Sequence, residues 1–372
     1  MIDERMLGVK IGKPIPEWDL RHRLPTGGSV GPERKDSVTT FRINSSFMEV
    51  TEQPHMNRQL FGVGVLIAFG GALVFGIFFL MALSRAVFQG ARADLIVLVV
   101  FLAVSAMWFT FLTLRFGRLE FFARTRFPVR FNRRTQTVYA LKRRSKGVLD
   151  FRKECELAEC KWDSVATFCI HREQDIPADH YSIRCYQLDE NENVTGAFSI
   201  GRDWDGKEGL QELLAQWNYW CCYMNDGPAA VPKPVLFLPT KETPHESFLY
   251  CVYAVDFNAS PGFRIAFLPM FIMLAIPRIL SLWTSREPVW PDEIARLCAV
   301  DPDDPFNEPT GDTPVGWHAT TMSKREGRYP TDLRRPTEDW PGDTDLRANA
   351  LRWAEDVVQP VVPAVAPACM AK

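Results

Sequence analysis

The sequence predicts a membrane α+β protein, in which a two-helix transmembrane hairpin is followed by a small antiparallel β domain closed by one C-terminal helix. Two long uncharged segments predict the hairpin, because about 20 apolar residues in a helix cross a bilayer core of about 30 Å. Alternating polar and apolar residues after the second segment predict the strands. An amphipathic stretch ending at a Gly-Pro pair predicts the closing helix.

The two spans are predicted at residues 60–83 and 95–114, neither of which contains a charged side chain. A soluble protein with two buried core helices is the alternative, although such helices usually carry a polar stripe. The N-terminus lacks the basic end and short apolar core of a cleaved signal peptide, so we expect the first span to stay in the membrane. The short link 84–94 predicts that both flanks of the hairpin lie on one side.

Basic residues are concentrated directly after the second span. Residues 114–134 contain seven arginines and one acid, in a chain whose formal net charge is only −2. Lys and Arg near span ends favour the cytoplasmic side, which predicts a multi-pass protein with its N-terminus and β domain in the cytoplasm. The nine cysteines, an odd number, fit a reducing compartment.

Changes in composition divide the chain into five regions. These are an N-terminal arm with one strand (1–59), the transmembrane hairpin (60–114), the β domain with its closing helix (115–228), a connector (229–284) and an acidic, proline-rich tail (285–372). The connector contains an apolar patch at 263–283, interrupted by Pro269, Pro277 and Arg278. An interfacial helix, a helix docked on the hairpin and a third membrane crossing all remain open for it. The tryptophans of the tail predict that parts of it dock.

Strands capped by one helix directly after two spans resemble the pleckstrin-homology-like (PH-like) domains of bacterial membrane proteins. More specifically, "FRINSSFMEV" (41–50), the two spans and "PVRFNRRTQTVYAL" (128–141), in that order, resemble a family of uncharacterised bacterial membrane proteins that tend to be encoded near type VI secretion effectors. The resemblance covers about residues 39–285. It implies the bacterial inner membrane, an immunity or accessory role, and a cognate secreted toxin or other protein as partner. It brings no catalytic residues.

A basic cluster is the candidate binding site, and it comprises Arg124, Arg126, Arg130, Arg133, Arg134, Lys142, Arg143, Arg144 and Lys146. These charges are expected first to set orientation and to lie near anionic lipid headgroups, each gaining about 1 kcal/mol. The functional alternatives are a PH-like module that senses anionic lipid or scaffolds a membrane complex, and a site for an acidic protein. Nucleic acid is not expected, because readers of single strands need aromatic platforms between the charges.

A stripe of small residues in the first span predicts close helix packing, and it consists of Gly64, Ala68, Ala72 and Gly76. The second span is the expected partner, and a second copy of the chain in a homo-oligomer is the alternative.

No motif for catalysis, a cofactor or a metal ion is found in the sequence. It has no phosphate-binding Gly-rich loop, no Gly-x-Ser-x-Gly and no His-Glu-x-x-His, so we predict neither an enzyme nor a cofactor, with a membrane-bound enzyme as a further alternative. Five potential metal ligands lie close in sequence, namely Cys169, His171, Asp175, Asp179 and His180. Their spacing is not a zinc pattern, and we interpret them as a polar loop between two strands.

Overall fold

The computed structural model describes residues 9–52, 55, 58–90, 92–122, 124–143, 155–163, 167–174, 178–255 and 260–355. Within them, two long apolar helices are combined with antiparallel sheets and further helices, which is an α+β layout. The α+β part of the predicted fold class is therefore confirmed.

The arm before the hairpin contributes one short helix and three strands. These are α1 (Glu17–Arg21), β1 (Glu33–Arg34), β2 (Thr40–Ile43) and β3 (Phe47–Val50). One strand was expected in the arm 1–59, but β2 and β3 form a tight hairpin in it. The cause is Asn44, whose Oδ1 accepts hydrogen bonds from the backbone N–H groups of Ser46 (2.9 Å) and Phe47 (2.8 Å), a turn that asparagine stabilises with its own side chain.

The two long helices are α2 (Arg58–Gln89) and α3 (Ala93–Glu120), and they pack against each other as an antiparallel hairpin. Both predicted spans lie inside them. Most of the predicted link is helical as well, because residues 84–89 contain neither proline nor glycine. Helix α2 ends just before Gly90, whose φ of 89° is a left-handed conformation that glycine adopts without strain.

The first sheet joins residues from both sides of the hairpin. Its strand order is β2-β3-β4-β5-β6, in which the last three strands are β4 (Val129–Asn132), β5 (Thr137–Arg143) and β6 (Cys155–Lys161). The strand before the hairpin, β3, pairs antiparallel with the strand after it, β4, so that Met48 lies opposite Phe131. The two ends of the hairpin are therefore held together by backbone hydrogen bonds of one sheet.

A second sheet and one long helix complete the core. The sheet consists of β7 (Thr167–Glu173), β8 (His180–Leu188) and β9 (Val194–Asp205), and it is followed directly by α4 (Gly206–Asn225). Trp220 of α4 lies 5.2 Å from Phe131 of the first sheet, and Trp217 lies 5.2 Å from Phe168 of the second, measured between ring centroids. One helix thus fills the space between both sheets.

The chain after α4 is mainly helical. Its elements are a 3-10 turn at Pro228–Ala230, α5 (Pro244–Val255), α6 (Pro261–Ala266), α7 (Leu268–Thr284), α8 (Asp292–Leu297), α9 (Gly316–Arg325), β10 (Arg335–Pro336) and α10 (Leu346–Ala354). The prediction that the tail docks is confirmed for Trp317 and Trp353, both of which are buried.

Helix α4 was expected to close the β domain with one apolar face, but it is buried on its polar face as well. Asn218 shows how the second face is covered. Its side chain accepts a hydrogen bond from the N–H of Val30 (2.9 Å) and donates to the carbonyls of Gly31 (2.9 Å) and Glu33 (2.8 Å). The arm therefore runs along α4, and α10 packs beside it. The helix is central because chain segments from both termini cover the face that one domain would leave in water.

Candidate functional site at the base of the helical hairpin

The base of the hairpin is the place where α2 begins and α3 ends. Near this base the two helices come close together at Gly117 and Val65. A Cβ added to Gly117 of α3 would lie 3.4 Å from Cγ1 of Val65 in α2. About one turn nearer the soluble part (the sheets and the helices other than α2, α3 and α7), Gly62 of α2 faces Pro277 of α7 so closely that an added Cβ would lie 2.7 Å from the proline Cβ.

Helix α7 also contacts the second helix of the hairpin at this level. The hydroxyl of Ser281 donates to Oε1 of Glu120, the last residue of α3, at 2.7 Å. Pro277 and Ser281 are one turn apart on α7, yet they contact different helices of the hairpin. We conclude that α7 lies across the base and not alongside α2 and α3. Residues 263–283 thus contact the hairpin, as the docking alternative predicts, and this contact is compatible with an interfacial position.

A buried arginine attaches α7 to the base. Arg278 has 0% side-chain exposure and forms an ion pair with Glu242, whose side chain is 5% exposed. Its Nη1 donates to the carbonyl of His55 (3.2 Å) and to Oε1 of Gln59 (3.1 Å), and its guanidinium lies 3.8 Å from the ring centroid of Tyr250. An arginine inside an apolar run has to be paired in this way, because an unpaired buried charge is very costly.

The ionisation of Glu242 reflects this pairing. Burial alone would raise the pKa of its carboxyl group, but the charge and hydrogen bonds of Arg278, together with His55 and Ser247, outweigh burial and place the pKa below its ordinary value. Glu242 is therefore ionised in the folded protein, and the base of the hairpin contains a charged pair shielded from solvent.

Two residues of the predicted basic cluster meet at a second buried carboxylate. Glu49 of β3 accepts a hydrogen bond from Nε of Arg130 (2.7 Å), and its other oxygen lies 3.9 Å from Nη2 of Arg126. The Arg130 guanidinium also lies 4.6 Å from the ring centroid of Phe47 and 4.4 Å from that of Trp290. Arg130 thus connects the first sheet with the tail, and Arg126 is buried.

The other described members of the cluster contact separate parts of the chain. Arg124 donates to the carbonyl of Glu287 (2.7 Å), Arg134 to that of Ala299 (3.2 Å), and Lys142 to Oε1 of Gln187 (3.1 Å). The guanidinium of Arg133 packs against Gly227.

The sheet register separates these residues further. Asn132 lies opposite Thr137 and Val129 opposite Ala140, so Arg133 and Arg134 follow β4 at one end of the sheet while Lys142 and Arg143 lie at the other end. Arg144 and Lys146 lie outside the described residues. The structure therefore brings Arg126 and Arg130 together, and distributes the other described members over the soluble part.

The five potential metal ligands do not form one cluster in the described part of the chain. His171 pairs with Asp19 of α1 at 2.8 Å, and His180 pairs with Asp205 at 2.5 Å. The Cys169 thiol is buried, and burial raises its pKa. Asp175 lies outside the described residues, and no group of three metal-binding side chains occurs in the part of the chain that the structure describes.

The predicted stripe of small residues is only partly in contact with α3. Ala68 is buried, Ala72 and Gly76 are half-buried, and Gly64 is exposed. A Cβ added to Gly64 or Gly76 would have no neighbour within 4 Å, whereas one added to Gly71 would lie 2.7 Å from the ring of Phe109. The close helix approach therefore occurs at Gly71, which the four-residue spacing did not include.

Gly71→Val is expected to destabilise the hairpin by about 1–3 kcal/mol, because the new side chain collides with Phe109. Gly64→Val is the matched control and should change stability by less than about 0.5 kcal/mol. Unfolding of the purified chain by increasing sodium dodecyl sulfate, followed by circular dichroism, measures both. An equal loss at Gly64 would instead indicate that the stripe packs against a second copy of the chain.

Both long helices are apolar and exposed. The most apolar windows have a mean hydropathy of 2.6 in α2 and 2.7 in α3, and only 11% and 6% of these windows are buried within the protein. Helices of a soluble core would be mostly buried. By length and composition, the two helices are able to cross a membrane.

Comparison with known proteins gives one match. A family model described as a family of unknown function (DUF6708) matches residues 106–302, slightly more than half of the chain. The match begins inside α3 and extends through strands β4 to β9, α4 and α7 to the residues just after α8, so it leaves out β2 and β3 of the first sheet. No curated protein and no solved structure matches the chain.

Proposed function

Since this chain belongs to DUF6708, a family of unknown function, its role has to be argued from its own residues, and we propose that it is a membrane-anchored, non-enzymatic binding protein. The exposure of α2 and α3 is the observation that carries the proposal. Two helices of 32 and 28 residues with uncharged central segments cannot remain in water without aggregation, and a bilayer is the environment that matches their length and composition.

The pairing of β3 with β4 supports one arrangement relative to the bilayer. Because the strand before the hairpin and the strand after it share a sheet, both flanks of the hairpin are on the same side. Trp353, near the end of the described chain, packs in the same core as these strands, which supports an arrangement with the tail on that side as well. The arginines that follow α3 favour the cytoplasmic side of the bacterial inner membrane.

A reporter test checks this sidedness. Alkaline phosphatase, which is active only outside the cytoplasm, should be inactive when fused after residue 355 and active when inserted at Gly90 in the turn between α2 and α3. Protease added outside intact spheroplasts should leave the soluble part uncut. Cleavage near Arg143, or an active fusion after residue 355, would contradict the proposed orientation.

We propose a secreted antibacterial toxin as the partner, on the basis of the resemblance to proteins encoded near type VI secretion effectors. The soluble part would bind the toxin at the inner face of the membrane and block it on arrival. A rigid attachment favours this role, since Arg278, Glu242 and the β3–β4 pairing hold the binding domain at a fixed position on its anchor. An anionic lipid headgroup is the alternative ligand.

Co-expression tests the partner. A toxin encoded next to this chain should kill cells that lack the chain and spare cells that produce it, and the chain in lipid nanodiscs should retain that toxin. Killing at the same rate with and without the chain would overturn the immunity role. Retention of phosphatidylglycerol-rich vesicles but not of the toxin would favour lipid recognition.

A further inference from the structure

Helix α7 presents an unusual face to its surroundings. Six apolar side chains on it are between 37% and 82% exposed, namely Leu268, Ile272, Met273, Ile276, Leu280 and Trp283. At 100° per residue these positions fall on one continuous side of the helix, and that side carries no charged residue. An exposed helix of a soluble protein normally has its polar residues there.

The only charged residue of α7, Arg278, and its serine, Ser281, point inward. Arg278 and Ser281 are both fully buried, and they are satisfied by Glu242 and Glu120 at the hairpin base. The helix is therefore inverted relative to a surface helix in water, with its charge inside the protein and its apolar residues outside. This inversion is stable only if the outer face meets an apolar environment.

The position of α7 identifies that environment. The helix lies across the hairpin at the level of Gly62 and Glu120, where the apolar surfaces of α2 and α3 begin. Phe122, which follows α3 and whose backbone N lies 3.4 Å from Oγ1 of Thr284, and Ile265, which precedes α7, are further exposed apolar side chains, at 61% and 74%. The outer face of α7 thus begins where the apolar surface of the hairpin begins, and the exposed Arg286 lies two residues after the helix, at a level suited to headgroup phosphates.

We propose that α7 is an in-plane membrane helix, whose outer face inserts into the boundary between headgroups and acyl chains of the bilayer that α2 and α3 cross. The proposal rests on the proposed function, since it takes the hairpin to be in a membrane. Helices of this kind bury their apolar side about 5–10 Å into that boundary. With α2, α3 and α7 all in contact with lipid, the soluble part is held in one orientation on the membrane surface instead of swinging on two helices.

Labelling from within the bilayer tests the proposal on the full chain in liposomes. A photoactivated aryl diazirine dissolved in the lipid phase is irradiated, the protein is digested, and the label on each peptide is measured by mass spectrometry. The peptide containing Ile272–Trp283 should carry several-fold more label than the peptide containing Met322. Met322 is the matched control, because it is a 39% exposed apolar side chain on α9 of the soluble part.

The peptides of α2 and α3 make the two possible failures distinguishable. Strong labelling of α2 and α3 with the α7 peptide at the level of Met322 would overturn the in-plane helix and leave the membrane anchor intact, and would mean that a protein surface covers α7. Labelling of neither α2 nor α3 would overturn the membrane anchor and this proposal with it.

A variant pair provides a second measurement. Met273→Glu combined with Ile276→Glu adds charge to the outer face of α7, and it should reduce label on the Trp283 peptide several-fold while leaving the α2 and α3 peptides unchanged. Met322→Glu should alter none of these. Undiminished labelling of the Trp283 peptide in the α7 variant would contradict the insertion of this face.

Discussion

Arg278→Ala is expected to lower the free energy of unfolding of the detergent-solubilised chain by about 3–5 kcal/mol. The change leaves the Glu242 carboxylate buried without its counter-charge, which is the costly way to break an ion pair. It also removes the hydrogen bonds to His55 and Gln59 and the stacking on Tyr250. Helix α7 then loses its charged attachment to the hairpin base, and chemical denaturation monitored by circular dichroism measures the loss.

Three companion variants separate the buried pair from general damage. Glu242→Gln should cost a similar amount, because it leaves the arginine charge buried. Arg278→Met combined with Glu242→Leu should recover much of the loss, since an apolar pair of similar volume needs no desolvation of charges. Lys241→Ala removes an exposed ion pair with Glu287, whose partners are 82% and 47% exposed, and should change stability by less than about 0.5 kcal/mol. Equal, small effects of Arg278→Ala and Lys241→Ala would show that the buried pair does not hold α7.

The buried pair of Arg278 and Glu242 predicts that the stability of the chain depends on pH in the acid range. Because the pKa of Glu242 lies below its ordinary value of 4.5 in the folded state, its contribution is present above pH 4.5 and is lost as the pH falls below it. Below pH 4.5, the free energy of unfolding of the wild-type chain should therefore decrease more steeply with falling pH than that of Glu242→Gln. Parallel curves for the two proteins in that range would contradict the assignment.

Glu49→Gln is expected to destabilise the chain by about 3 kcal/mol, the largest effect that we predict outside the Arg278–Glu242 pair. Glu49 is buried and serves both Arg126 and Arg130, and its Oε2 also accepts a hydrogen bond from Nε1 of Trp290 at 3.2 Å. Removing the Glu49 charge leaves the charge of Arg126 buried without its counter-charge. The free-energy cost of keeping Arg126 out of water stays the same. Burial already lowers the pKa of Arg126 against the opposing effect of Glu49.

Arg134→Gln is the control for this result. Arg134 belongs to the same predicted cluster, but it is exposed and donates to a backbone carbonyl, so its loss should change stability by less than about 0.5 kcal/mol. Thermal unfolding of the purified chain compares the two variants. A loss at Arg134 as large as that at Glu49 would mean that the arginines act as one group.

The difference between these two residues shows what a run of basic residues does and does not predict. Seven arginines after a charge-free segment indicate orientation, because that rule depends only on composition near a span end. Whether a given arginine faces lipid, a partner or its own core depends on the acid that reaches it. Glu49 lies on the far side of the hairpin in sequence, 81 residues from Arg130, and no local pattern joins the two.

The candidate site follows the same division. An arginine inside the apolar run 263–283 was a visible signal that a buried acid had to be near, yet Glu242 lies 36 residues away and has the sequence context of an ordinary surface residue. Gly71 was equally visible inside the first span. Only the rotation of α2 against α3 shows that Phe109 approaches Gly71 and not Gly64.

The sequence by itself determined the two long helices, the alternating strands β4 and β5, and the tendency of the tail to dock, because length, periodicity and the absence of charge act within one short segment. Only the tertiary structure decided that the arm and tail enclose α4, that β3 and β4 close the hairpin, and that α7 lies across its base. Each of these depends on pairs of residues far apart in the chain, whose contact is set by the burial of a whole core and the pairing of the charges trapped within it.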